Sequence, residues 1–173
     1  MGFELRILDL FWLKGLDDCE DLCLHGHVFV QIGEEVVDDG AKSDWTLSVS
    51  AYRMLRTIYE NHDANDLKTE LLITCCGHSM LVDGKTEQLI IFDCPHGINW
   101  SVIHEGGNVC LTTKANTQAT IPCATYRDII FAFADQIERF YQSCAPKTFY
   151  DIEDEKAFQK FWTNWKKWRT GVL

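Results

Sequence analysis

Two periodicities divide this chain and limit what it can fold into. Leu89 and Ile91, then Ile98, Trp100 and Val102, then Val109 and Leu111 recur at every second position within their segments, and between 126 and 141 apolar side chains recur at every third or fourth. A period of two belongs to a strand with one buried face, and a period near 3.6 to a helix with one buried stripe. Apart from one helix between the first strands and this stretch, strands come together and helices follow, so the two are grouped and not alternated. Grouping predicts an α+β fold, with an antiparallel sheet packed on three helices in a single domain, and not a chain of βαβ units.

The elements can be placed more closely. Phe3, Leu5 and Ile7 predict a strand over 3–12, and Val28, Val30 and Ile32 a second over 24–32. Gly33 breaks it before a short return at 34–37. Leu47, Ala51, Met54, Leu55 and Ile58 predict a helix over about 47–61, capped by Thr46 or Ser48, with Arg53 and Arg56 on its exposed face. Residues 71–114 read as a four-strand meander punctuated at Asp83-Gly84, Cys94-Pro95-His96-Gly97 and Glu105-Gly106-Gly107-Asn108. A four-residue last loop sets His104 opposite Val109, Val102 opposite Leu111 and Trp100 opposite Thr113. A four-residue middle loop sets Ile91 opposite Trp100 and Leu89 opposite Val102. Ile90, Phe92 and Ile103 then lie on the reverse face and need cover from the N-terminal strands or a second chain, so a homo-oligomer is compatible with the pattern. Two helices follow, over about 123–144 and 154–169, the second with Phe158, Phe161, Trp162, Trp165 and Trp168 on one side.

Charge narrows the class of partner. Sixteen basic against 26 acidic residues give a net charge of −10. A nucleic-acid binder needs a basic face to neutralise phosphates, and an anionic membrane surface repels acid, so neither partner is expected. The acid is bunched at Asp17, Asp18, Glu20 and Asp21, at Glu34, Glu35, Asp38 and Asp39, and again around Asp151–Glu155. The first two clusters are the candidate binding residues for a basic protein, through complementary fields. Glu4, Arg6 and Asp9 interrupt the apolar start as no secretory signal does, so the expected address is the cytoplasm. There the eight cysteines stay reduced, with Cys110, Cys123 and Cys144 expected as core thiols.

Only the thiols and imidazoles offer chemistry. They gather at Cys19-x-x-x-Cys23-x-His25-Gly26-His27, Cys75-Cys76-Gly77-His78, Cys94-Pro95-His96 and His104. Thiolate and imidazole are natural ligands of Zn²⁺, but no CxxC pair or finger spacing is present. A five-residue loop at 83–87 sets Cys94 opposite Cys76 and assembles Cys76, His78, Cys94 and His96. A four-residue loop at 83–86 sets Cys94 opposite Cys75 and scatters them. Proline second and glycine fourth in Cys94–Gly97 suit a type I turn with His96 off its tip, which favours the second register. On that register no cofactor is expected, and Zn²⁺ is the one metal to test for. His25 and His27, on one strand face with Cys23, are the other candidate ligands. The expected function is therefore a non-catalytic protein-binding domain, in kind like an acidic inhibitor or immunity-type protein acting on a basic partner. The alternative is a metal- or thiol-dependent enzyme built on Cys76, His78 and Cys94.

Overall fold

The computed structural model describes residues 2–13, 18–41, 43–66, 68–77 and 79–172. Expectations placed on Asp17 and His78 therefore lie outside the described residues. The fold is α+β, with antiparallel sheets and three helices. β1 (Phe3–Phe11) pairs with β2 (His25–Ile32), which also carries β3 (Glu35–Asp38) and the short β4 (Trp45–Thr46). Alternation sends Phe3 and Leu5 inward beside their partners Ile32 and Val30. The register slips by one between Ile7 and Asp9.

Helix α1 (Leu47–Thr57) is shorter than expected, and every residue from Leu47 to Leu55 is buried. A helix covered on all sides must dispose of its polar groups internally. Leu24 O accepts the amides of Leu47 and Ser48, Ser48 Oγ accepts from Leu24 N at 3.1 Å, and Ser50 Oγ donates to Thr46 O at 2.9 Å. Thr46 is the N-cap residue, but its hydroxyl leaves the helix and donates to Cys75 O at 3.1 Å. Arg53 is not on an exposed face: it is 1% exposed, a buried cation in the middle of the molecule.

Beyond α1 the chain forms β5 (Ile73–Thr74), β6 (Ser79–Val82), β7 (Leu89–Phe92), β8 (Gly97–Ile98), β9 (Trp100–Glu105), β10 (Asn108–Thr113) and β11 (Gln118–Pro122). The β9–β10 hairpin has the register read from its loop, with His104 opposite Val109 and Val102 opposite Leu111. The continuous meander is not formed, because β7 pairs with β6 and not with β9. The edge of β9 is closed instead by His62, whose backbone exchanges both hydrogen bonds with Val102. Asn99 lies at this corner, where its Oδ1 accepts from Leu72 N at 3.2 Å and lies 2.8 Å from His62 Nε2. That ties the corner between β8 and β9 to other parts of the chain. β11, which the sequence reading did not include, completes a sheet with β10 and β9.

The two closing helices are α2 (Cys123–Gln142) and α3 (Ile152–Thr170). Tyr126, Ile130, Phe133 and Ile137 form the buried stripe of α2, and Phe161 and Trp165 are the deep residues of α3. Asp151 caps α3 by accepting from Glu153 N and Asp154 N. α3 lies against the β6–β7 hairpin, on the side of the buried Ile91. Neither the N-terminal strands nor any other described element covers the other side, where Ile90 is 39% and Phe92 52% exposed. Among the described residues, no helix is long and apolar enough to cross a membrane.

A trithiol site in a broken ribbon

Strands β5 and β6 run along β8 and β7 as one interrupted two-stranded ribbon. Ile73 pairs with Ile98 and Thr74 with Gly97, and after a gap Ser79 pairs with Phe92 in the same register. The gap holds Cys75, Cys76 and Gly77 among the described residues on one side and residues 93–96 on the other. Proline at 95 removes a ladder donor, and Gly77 adopts φ +146°, a conformation that side-chain-bearing residues rarely take. The regular ladder ends there, with a last bond from Cys75 N to His96 O at 3.3 Å. The register, extended through the gap, sets Cys94 opposite Gly77, whose missing Cβ lets the backbone lie close against the Val49 side chain of α1.

Three sulfurs meet there. Cys75 Sγ lies 2.7 Å from Cys94 Sγ and 3.3 Å from Cys76 Sγ, and Cys76 Sγ lies 3.4 Å from Cys94 Sγ. All three cysteines are half-buried. Among the described residues this is the one group of Cys, His, Asp and Glu whose ligand atoms converge closely enough to share a metal ion. Burial, and then the neighbouring thiols, push Cys75 up to about 12. Cys94 is held below the ordinary thiol value, chiefly by its hydrogen bond with Cys75. Of these two thiols Cys94 therefore gives up its proton before Cys75, whose S–H then donates to the Cys94 thiolate.

The ribbon is fixed from beneath by α1. Arg53 Nη1 donates to Leu71 O at 2.9 Å and to Asp93 Oδ2 at 2.8 Å, holding the segments that lead into Cys75 and into Cys94. Thr46 holds the Cys75 carbonyl. Beside Cys94 opens a cleft of about 760 Å³. Its walls include Cys94, Pro95 and Gly97 from the ribbon, with Asp66, Asp93 and Lys114, but not Cys75 or Cys76.

Neither expected register is the observed one. Val82 pairs with Leu89, so the loop holds six residues, 83 to 88. Asp83 Oδ1 accepts from Lys85 N and Thr86 N, and Glu87 takes φ +57°, which lengthens the turn. Cys76 and Cys94 do come together as the metal reading required, with Cys75 as the third member. His96 does not join them, because its ring stacks on Trp45 with centroids 5.5 Å apart.

The second candidate set is dispersed. Cys23 is fully buried and donates to Gly77 O at 3.3 Å, and burial raises its pKa. His25 is buried near Asp21, at 3.8 Å. His27 engages both ring nitrogens with carboxylates, Nδ1 with Asp9 at 2.7 Å and Nε2 with Asp44 at 2.8 Å. Partial burial opposes its charge, but the two carboxylates outweigh that and raise the pKa above 6.5. A raised folded-state pKa gives stability that is complete below the unfolded value and is lost as pH rises through the folded value. We expect the melting temperature of the wild type to fall across that window above pH 6.5, and His27→Gln to flatten the fall. Parallel pH profiles for the two proteins would count against the clamp.

The acidic clusters divide between surface and interior. Asp21 is buried and accepts from Leu13 N and Cys23 N. Asp38 is buried and accepts from Trp45 Nε1 at 2.6 Å and Gly40 N at 2.7 Å. Glu35 accepts from Thr113 Oγ1, and Asp18 accepts from Ala145 N. Glu20, Glu34 and Asp39 are exposed. Cys110, Cys123 and Cys144 are half-buried and not in the deep core. Sequence reasoning also missed a thiol–imidazole contact, Cys123 Sγ to His104 Nδ1 at 3.7 Å, at the start of α2. Nothing in the spacing of those two residues announces it.

Comparison with family models, with curated proteins and with solved structures returns no match for this chain.

Proposed function

We propose that this protein holds a thiophilic d¹⁰ cation, with Zn²⁺ as the reference ion, on Cys75, Cys76 and Cys94. The observation that carries this reading is the convergence of three sulfurs, from two different segments of the chain, within 3.4 Å of one another. Thiolates favour soft cations, and Zn–S bonds of about 2.3 Å in a tetrahedron set the sulfurs about 3.8 Å apart. The observed edges must open by roughly 0.4 to 1.1 Å to reach that spacing, a small movement for residues outside the strands. Three protein ligands leave one position free, the arrangement of zinc sites that bind water or a substrate. The cleft beside Cys94 gives that position access, which favours metal-dependent chemistry over a purely structural staple.

Binding of a basic partner by a non-catalytic surface is the second reading. Net charge of −10 and the exposed Glu20, Glu34 and Asp39 support it. The internal use of Asp21 and Asp38 leaves it weaker than the thiol reading. A cytoplasmic address would suit both.

The test is metal stoichiometry on reduced, tag-free protein dialysed against Zn²⁺. About one equivalent is expected, and Cys94→Ser should lower affinity at least about 100-fold. At least two thiols must lose protons on binding, so apparent affinity should rise about 100-fold from pH ~6 to ~7. Less than about a tenth of an equivalent overturns the reading.

A further inference from the structure

We infer that the metal-free protein is a thiol–disulfide exchange site for low-molecular-weight disulfides, entered through Cys94 from the cleft and closed by Cys75. The inference uses the same sulfurs as the metal reading but does not rest on it, since its reactant is the metal-free dithiol. Three geometric facts support it. Cys94 lines the cleft and the other two thiols do not. Cys75 stands 2.7 Å behind the Cys94 sulfur, already nearer to it than Cys76 at 3.4 Å. Cys75 and Cys94 lie outside the strands, so the sulfurs can close to a bond of about 2.05 Å without breaking a ladder.

The chemistry balances without any further reagent. Cys94 loses its proton, and its thiolate attacks one sulfur of the disulfide RSSR. A Cys94–S–S–R bond forms, the S–S bond of RSSR breaks, and RS⁻ leaves into the cleft. Cys75 then gives up its proton to the released thiolate and attacks the Cys94 sulfur from the protein side. The Cys75–Cys94 disulfide forms and the second RS⁻ departs. The protein dithiol is oxidised by two electrons, and RSSR is reduced to two RSH. Cys94 is the attacking sulfur because it lines the cleft that a small disulfide enters, and Cys75 and Cys76 do not. The second step raises the reaction above simple labelling of an accessible cysteine, because a resolving thiol is in place.

Cystamine is a suitable probe, being small enough for the cleft and cationic in a protein of net charge −10. Metal-free wild-type protein in excess cystamine is expected to lose two thiols without retaining an adduct, and peptide mapping should find the Cys75–Cys94 disulfide. Cys75→Ser should keep a cysteamine adduct on Cys94 at least about ten-fold longer than the wild type does. Cys94→Ser should show neither product. A Cys94→Ser protein that melts like the wild type and still forms the site's disulfide or adduct at the wild-type rate overturns the inference. So does a first adduct mapped to Cys75 or Cys76 in wild-type protein, or a Cys75→Ser protein whose Cys94 takes no adduct. Zn²⁺ stoichiometry is measured separately on reduced protein, so failure of either reading leaves the other standing.

Discussion

Gly97→Ala is expected to destabilise the protein by about 2–3 kcal/mol and to weaken Zn²⁺ binding at least about ten-fold. A Cβ placed on Gly97 would sit 2.2 Å from Ile73 O and 2.8 Å from Leu71 Cδ1. The leucine can rotate away, but the carbonyl belongs to the β5–β8 ladder and cannot. Relief therefore requires the two strands to part where Ile73 pairs with Ile98 and Thr74 with Gly97. That ladder is what brings the Cys75 side of the ribbon against the Cys94 side. Glycine inside a strand here marks a close backbone approach, not a turn. In a chain of 173 residues, the stability loss corresponds to a melting temperature lower by about 5–10 °C. Gly84→Ala is the matched control, because its added Cβ would have nothing within 4 Å. It should stay within about 0.5 kcal/mol of the wild type. Equal melting temperatures for Gly97→Ala and wild type would sink the claim that this approach holds the site together.

The contrast between the hairpin at 105–108 and the one at 83–88 explains what could be read from sequence. Glu105 pairs with Asn108, so the loop between them is short and its register follows from the apolar alternation on either side. At Asp83 the same alternation tolerates four, five or six loop residues, because the exposed face of β6–β7 is itself apolar. Leu81, Ile90 and Phe92 look outward, so alternation cannot say which face is inside. The deciding feature is a left-handed Glu87, a residue with no special preference for that conformation. The thiol cluster was hidden for a related reason. Counting registers assumed a continuous ladder, whereas the site exists because Pro95 and Gly77 interrupt it. Cys75 and Cys76, on opposite faces of a regular strand, can only share a site where the strand is not regular.

Arg53 was misplaced for a different reason, and it gives the second large effect. A helix read in isolation presents one polar face, and Arg53 with Arg56 supplied it. The ribbon then lies over that face, and the guanidinium is enclosed with Nη1 on Leu71 O and Asp93 and Nη2 3.7 Å from Glu70. Arg53→Ala is expected to cost about 3–4 kcal/mol, lowering the melting temperature by roughly 10 °C. Most of that cost is the cavity and the loss of a donor to the Leu71 carbonyl. Asp93 is about a quarter exposed, so its unpaired charge is partly screened by water. Arg53→Met separates these contributions, since it keeps the volume and removes the charge and donors. Combined with Asp93→Asn in a double-mutant cycle, it should show coupling of about 1–2 kcal/mol. Strictly additive losses would mean that the ion pair contributes nothing and that Arg53 acts through its packing and its hydrogen bond to the Leu71 carbonyl. The site offers an independent readout, because Arg53 grips the segments leading into both Cys75 and Cys94. A variant that melts lower but binds Zn²⁺ as the wild type does would make Arg53 a stabiliser of the core only. A variant that loses affinity in proportion to the coupling energy would identify it as the residue that holds the two halves of the trithiol site in register.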